Sequence, residues 1–145
     1  MTTIEELGLL KMDFLGLRNL TVIDDAEKQI RKFNPDFAIA KVPDADPETF
    51  ALLAEGKTQG VFQLESTGMP SVCVNMRASS IEDITAIVAL YRPGPMDSIP
   101  TFIANKLDKR KVTYKTPLLE PILKVTYGCI VYQEQVIEIF RSLGG

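Results

Sequence analysis

The tetrad Arg92-Pro93-Gly94-Pro95 limits what this chain can fold into more than any other feature. Proline has no backbone N–H and drives the residue before it out of helical geometry, so two prolines around a glycine cannot continue a helix. Upstream, Ile81, Ile84, Ile87, Val88 and Tyr91 recur at helical spacing. Ser79 with Glu82, or Ser80 with Asp83, provides a capping box at their start. A helix is therefore expected to run from this cap into a rigid turn, with Arg92 fixed in space at the turn.

The same punctuation cuts the rest of the chain into short elements. Pro35 and Pro43 mark a connector. Asp46-Pro47 pairs a capping residue with proline at the first helical position, and Gly56 ends the helix that follows. A helix is expected from about Ser66 to Met76, another from Pro100 to about Leu107, and one from Thr116-Pro117 to near Tyr127. A last one, "QEQVIEIFRSL", is closed by Gly144. Asn19 is placed as the cap of a helix to about Phe33, with acidic Asp24 and Asp25 near its start and Lys28, Arg31 and Lys32 near its end, as the helix dipole favours. Residues 7 to 17 alternate enough to read as a strand, and "TQGVFQLES", "VTY" and "CIVY" as further short extended pieces. The expected fold is mostly α with a few short β-strands, an α+β arrangement. The strand at 7–17 has no evident partner in the sequence, which points to a piece of a larger protein.

Composition removes several classes of function. There is no histidine, which excludes His-based general bases, triads and most zinc sites. Cys73 and Cys129 form no CxxC pair and read as two reduced thiols. No apolar run approaches the roughly 20 residues that span a bilayer. The acidic opening MTTIEELG lacks a signal peptide's basic start, so a cytoplasmic location is expected, with no membrane partner. The net charge of −3 is unevenly spread. From Asn105 to Lys124, Lys106, Lys109, Arg110, Lys111, Lys115 and Lys124 face only Asp108 and Glu120. This stretch is either a solvated loop or a phosphate-facing patch.

Lys11 and Asp13 stand two apart within an otherwise apolar run, "LLKMDFLGL". On a strand their side chains would share a face, roughly 6.5 Å apart. They either form a salt bridge, or they combine a carboxylate for a divalent ion with a cation for phosphate. Arg92 is either a helix-end cation or a phosphate contact. Tyr91, Tyr127 and Tyr132 read first as core. Gln63, Glu65, Gln133 and Glu134 read as structural hydrogen-bonding groups. No phosphate-cradling glycine loop and no nucleophile elbow occur.

Four stretches in order, "LLKMDFLGLRNLTVI", "GVFQLES", "IEDITAIVALYRPGPMDS" and "LLEPILKVTYGCIVYQEQV", resemble the alpha subunit of bacterial DNA polymerase III, the C-family replicative polymerase. The resemblance runs from about Ile4 to Leu143. It implies a fragment of a multidomain enzyme, with residues 1–34 at the end of the palm and 35–145 in the fingers, truncated at the C-terminus. It implies nucleotidyl transfer from a dNTP to a primer 3′ end with two Mg²⁺ ions.

Asp13 matches the third catalytic, metal-binding aspartate of the family's K-x-D-F-L-G motif, and Lys11 matches the motif's lysine, expected near phosphate. Arg92, Lys106, Lys109, Arg110 and Lys111 are the implied nucleotide or DNA contacts. Primer-template DNA and dNTP are the implied partners, joined in the parent by the sliding clamp and other replicase subunits. The sequence departs from the family pattern in three places. The upstream P-D-x-D motif and the basic segment beyond "YQEQ" are absent, and Lys106-Leu107 stands where Lys-His is common. The chain alone is therefore expected to be inactive. The alternative is a DNA- or nucleotide-binding fingers module without catalysis.

Overall fold

The computed structural model describes residue 4 and residues 6–144, in two compact units, Met1–Val42 and Pro43–Gly145. The acidic opening falls mostly outside the described residues.

In the first unit the expected strand at 7–17 does not form. Residues 7 and 8 make a turn and residues 9–17 have no regular secondary structure. A strand exists through its ladder, and the backbone bond on this stretch is local, from Leu9 N to the Ile4 carbonyl at 3.1 Å. Helix α1 follows over Arg18–Ile30. Its N-cap is the extended Leu17, without a side-chain cap, so Asn19 lies inside the first turn and does not cap. The helix is tied locally: Lys28 pairs with Asp24, and Arg31 with Glu27. Arg31 Nε also donates to the Phe37 carbonyl at 2.8 Å, and Ile39 N donates to Glu27 Oε2 at 2.9 Å. No residue of α1 is buried.

The second unit is built from six short helices: α2 (Pro47–Ala54), α3 (Met69–Met76), α4 (Ile81–Leu90), α5 (Ile99–Leu107), α6 (Glu120–Leu123) and α7 (Gln133–Gly144). Asp46 caps α2 by accepting from Thr49 N at 2.9 Å. Ser80 caps α4 by accepting from Asp83 N at 3.3 Å, while Asp83 accepts from Ser79 N at 2.8 Å. The core lies among α3, α4 and α5, where Met76, Ile87, Leu90 and Phe102 are fully buried.

The described residues contain no strand, so the expectation of an α+β fold is corrected to an all-helical one. Each failed strand has a local cause. In "TQGVFQLES", Gly60 and Gln63 hold positive φ (78° and 64°), and the backbone closes turns from Val61 N to Thr58 O and from Leu64 N to Val61 O. Such bends cannot join a ladder. At "VTY", Val112 N closes a turn on the Lys109 carbonyl. At "CIVY", Val131 N and Tyr132 N both donate to Gln135 Oε1, at 2.9 and 3.0 Å. The side chain at the start of α7 thus takes the donors that a neighbouring strand would have used.

The turn after α4 is the breaker the sequence announced. Tyr91 leaves helical geometry and Gly94 takes φ 98°, a region open to glycine. A Cβ on Gly68, the residue before α3, would lie 1.9 Å from the Tyr91 hydroxyl. Only glycine lets that ring pack where it does, and the packed ring anchors the turn carrying Arg92.

Candidate nucleic-acid interface

Lys11 and Asp13 do meet: Lys11 Nζ lies 3.4 Å from Asp13 Oδ1, with side chains 49% and 80% exposed. At that exposure an ion pair contributes about 0–1 kcal/mol, so the pair is not what holds the segment. Its groups are open to an outside partner. Among the described residues no three His, Cys, Asp or Glu side chains group closely enough to hold a metal ion. Among the described residues, Asp13 thus offers a single carboxylate to such an ion.

Arg92 is exposed and forms no side-chain ion pair or hydrogen bond among the described residues. Its backbone is held at both ends: Arg92 N donates to the Leu90 carbonyl at 2.8 Å, and its own carbonyl accepts from Met96 N at 3.1 Å. The guanidinium is thus free while its base is fixed, as a bidentate phosphate contact requires.

The basic stretch separates into three kinds of residue. Lys106 is turned inward. Its Nζ sits 2.9 Å from Asp83 Oδ2, with side chains only 12% and 6% exposed, and donates to the Met76 and Arg77 carbonyls at 2.8 and 3.1 Å. All three N–H donors are committed, so one ammonium ties the end of α3 and the start of α4 to α5. Arg110 is exposed but folds back on Asp108, donating through Nε at 2.9 Å and Nη2 at 3.1 Å. That contact pulls Asp108 below its ordinary range and pushes Arg110 up. Lys109, Lys111, Lys115 and Lys124 are exposed and form no ion pair among the described residues.

Two cavities flank Tyr127. One of about 340 Å³ is lined by Lys109, Val112, Tyr114, Glu120, Lys124 and Tyr127. The other, of similar size, is lined by Glu82, Asp83, Phe102, Tyr127 and Tyr132 among others. Burial raises the Tyr127 and Tyr132 hydroxyls, and the negative field of Asp83 and Glu82 adds to it. Burial likewise pushes up Cys73 and Cys129, both free thiols, which leaves them poor nucleophiles.

Of the polar groups singled out in the sequence, Glu65 accepts from Gly60 N at 2.8 Å. Gln133 and Glu134 are exposed; the buried polar anchor is Gln135, which sequence reasoning missed. Gln135 Nε2 donates to the Ile122 carbonyl and to Thr126 Oγ1. Its position third in a helix, where a Gln reaches back to the chain before the cap, was the available signal.

The sequence matches the family described as the bacterial DNA polymerase III alpha subunit finger domain over residues 19–145. It is also similar to proteins named DNA polymerase III subunit alpha. The one from Borreliella burgdorferi is 52% identical over 145 residues, covering 100% of this chain. The one from Caulobacter vibrioides is 51% identical over 145 residues, and the one from Staphylococcus aureus 51% over 140 residues, 96% of this chain. The chain spans 13% of the length of each of these relatives. No helix among the described residues is long and apolar enough to cross a membrane.

Proposed function

Because the chain belongs to the bacterial DNA polymerase III alpha subunit finger-domain family, we propose that it works as part of a replicative DNA-directed DNA polymerase. That enzyme adds dNTPs to a primer 3′ end by nucleotidyl transfer in the cytoplasm. The observation that carries this reading is the similarity of the whole chain to relatives named DNA polymerase III subunit alpha. The palm–fingers boundary is proposed at residues 34/35, although the finger-domain match itself begins at residue 19.

In this reading Asp13 is one carboxylate of a Mg²⁺ site that other parts of the longer polymerase complete, and Lys11 meets phosphate beside it. The exposed, mutually loose pair at 3.4 Å leaves both groups able to exchange partners. Arg92 contacts nucleotide or template from its fixed turn. Lys109, Lys111 and, on release from Asp108, Arg110 face the DNA backbone; Lys106 acts from inside by fixing three helix ends. The chain by itself extends no primer. Primer-template and dNTP are the partners assigned to the fragment; sliding clamp and other replicase subunits belong to the parent.

The test grafts this chain in place of the matched segment of the Borreliella burgdorferi relative and measures primer extension with and without Asp13→Asn. The expected result is a loss of several orders of magnitude with DNA binding kept. A near-normal rate would make Asp13 a structural partner of Lys11 and remove it from the site. A second reading, a fingers module that binds DNA or nucleotide without catalysis, is favoured by the four unpaired lysines at 109–124. It predicts binding by the chain alone that weakens with salt, because phosphate contacts release counterions.

A further inference from the structure

The loops 109–114 and 120–128 come together at one point. A Cβ on Gly128, which holds φ 82°, would lie 3.2 Å from both the Thr113 carbonyl and Val112 Cγ1. Asn105 Nδ2 fixes the second loop by donating to the Tyr127 carbonyl at 2.8 Å, and the Tyr127 ring meets Phe102 edge-on at 5.3 Å. The first loop is fixed by Asp108, which caps the turn Lys109–Lys111. The two loops thus frame a cavity of about 340 Å³ with set walls, at the lower end of the range for small-ligand sites. Its wall includes Lys109, Lys124 and the half-buried Tyr114, with Glu120 the one carboxylate among its lining residues.

From these walls we propose that the cavity is a subsite for a phosphate group with its adjacent nucleobase. Lys109 and Lys124 hold the phosphate and Tyr114 stacks on the base. This deepens the proposed function and rests on the reading of 109–124 as a DNA-facing stretch. Ammonium groups supply charge for phosphate without demanding a fixed orientation. An aromatic ring stacks on any base, so the subsite is indifferent to sequence. Tyr127 is unsuited to the stacking role, because its ring is engaged with Phe102 and its hydroxyl lies in the field of Asp83 and Glu82. Glu120 opposes the ligand's charge and limits affinity. A strand and a free nucleotide share this chemistry.

Fluorescence anisotropy of the 145-residue chain with a labelled oligo(dT) of about ten nucleotides tests the subsite, with dTTP as competitor. Lys109→Gln with Lys124→Gln is expected to weaken binding about tenfold or more and to lower the salt slope by about 0.7, since the pair holds one phosphate and each phosphate contact on a single strand contributes about 0.7. Lys111→Gln with Lys115→Gln removes equal charge outside the cavity and is expected to cost clearly less. Tyr114→Ala is expected to lose about 5- to 100-fold, with Tyr114→Phe near wild type, a pair that separates stacking from folding. Glu120→Gln is expected to tighten binding about 1.5- to 5-fold.

Displacement by dTTP at low concentration identifies a free nucleotide as the ligand, and displacement only by polymer identifies a strand; either supports the subsite. The subsite is overturned if the two double variants lose equally, if Tyr114→Ala binds like wild type, or if the wild-type chain binds neither probe at low salt. In none of those cases is the polymerase reading decided, because it stands or falls with primer extension by the grafted enzyme.

Discussion

The two units of this molecule have comparable shares of apolar sequence and use them in opposite ways. In Pro43–Gly145, Leu64, Met76, Ile87, Leu90 and Phe102 are buried together. In Met1–Val42, Phe14, Leu15 and Phe33 are 92%, 95% and 91% exposed. Burying an apolar side chain contributes about 1.5–3 kcal/mol, so the second unit has a source of stability that the first lacks. What orders α1 is local: i,i+4 ion pairs such as Lys28–Asp24 on an exposed helix face, and the bonds that Arg31 and Glu27 make to the residues just beyond the helix. A helix of 13 residues held only by such terms is marginal in water. Large apolar side chains left this exposed are ones whose burial this unit does not itself provide. Hydrophobicity in a sequence therefore states that burial is needed, without stating that the same stretch of chain provides it.

Native-state hydrogen exchange should break or sharpen this contrast most strongly. Amides of α4 are expected to open only with global unfolding, and those of α1 to exchange orders of magnitude faster. Equal protection would mean the first unit has a core after all. Next in size, Phe102→Ala is expected to cost about 3–5 kcal/mol in denaturant unfolding, and Phe14→Ala to stay within about 0.5 kcal/mol.

Smaller, but specific to the second unit, is the Asp83–Lys106 pair. Asp83→Ala is expected to cost about 3 kcal/mol by stranding a buried ammonium, and Asp83→Leu with Lys106→Met to recover much of it. No loss from Asp83→Ala would show that water replaces the carboxylate, as it could at Asp13 in the first unit. The smallest effect belongs to the exposed cap of α2. The hydrogen bonds from Thr49 hold the Asp46 carboxyl below its ordinary 3.8. A lowered folded value adds stability above the unfolded one and loses it as pH falls through the folded one. Asp46→Ala should therefore lower Tm slightly near neutral pH, with a gap that closes below about pH 3.8.

The sequence was legible wherever a cause is local. Asp46-Pro47, Ser80 with Asp83, and the breaker at 92–95 set element ends within a few residues, because a cap or a proline acts on its own backbone neighbours. The two cysteines, far apart and outside any CxxC pattern, are free in the structure as well. Strands were misread because a strand is a relation between two segments. Val131 and Tyr132 look extended by composition, yet their donors go to Gln135. The candidate site divides in the same way. Sequence placed a cation at 106 and another at 109. The fold turned Lys106 inward onto Asp83 and left Lys109 at a cavity, because a lysine's role follows from which carbonyls and carboxylates lie within reach of its ammonium.

By itself the sequence determined where most of the short helices begin and end and where the chain breaks at Arg92, while its strands were wrong and it left the roles of Lys11 and Asp13 open. Capping, proline geometry and residue spacing act over a few residues, and distance along the chain is enough to read them. Only the tertiary structure decided which apolar residues are covered, that Gly68 admits the Tyr91 ring, and which of the cations at 106–124 face outward. Those outcomes depend on atoms far apart in sequence meeting at a few ångströms, as Lys106 meets Met76 across 30 positions.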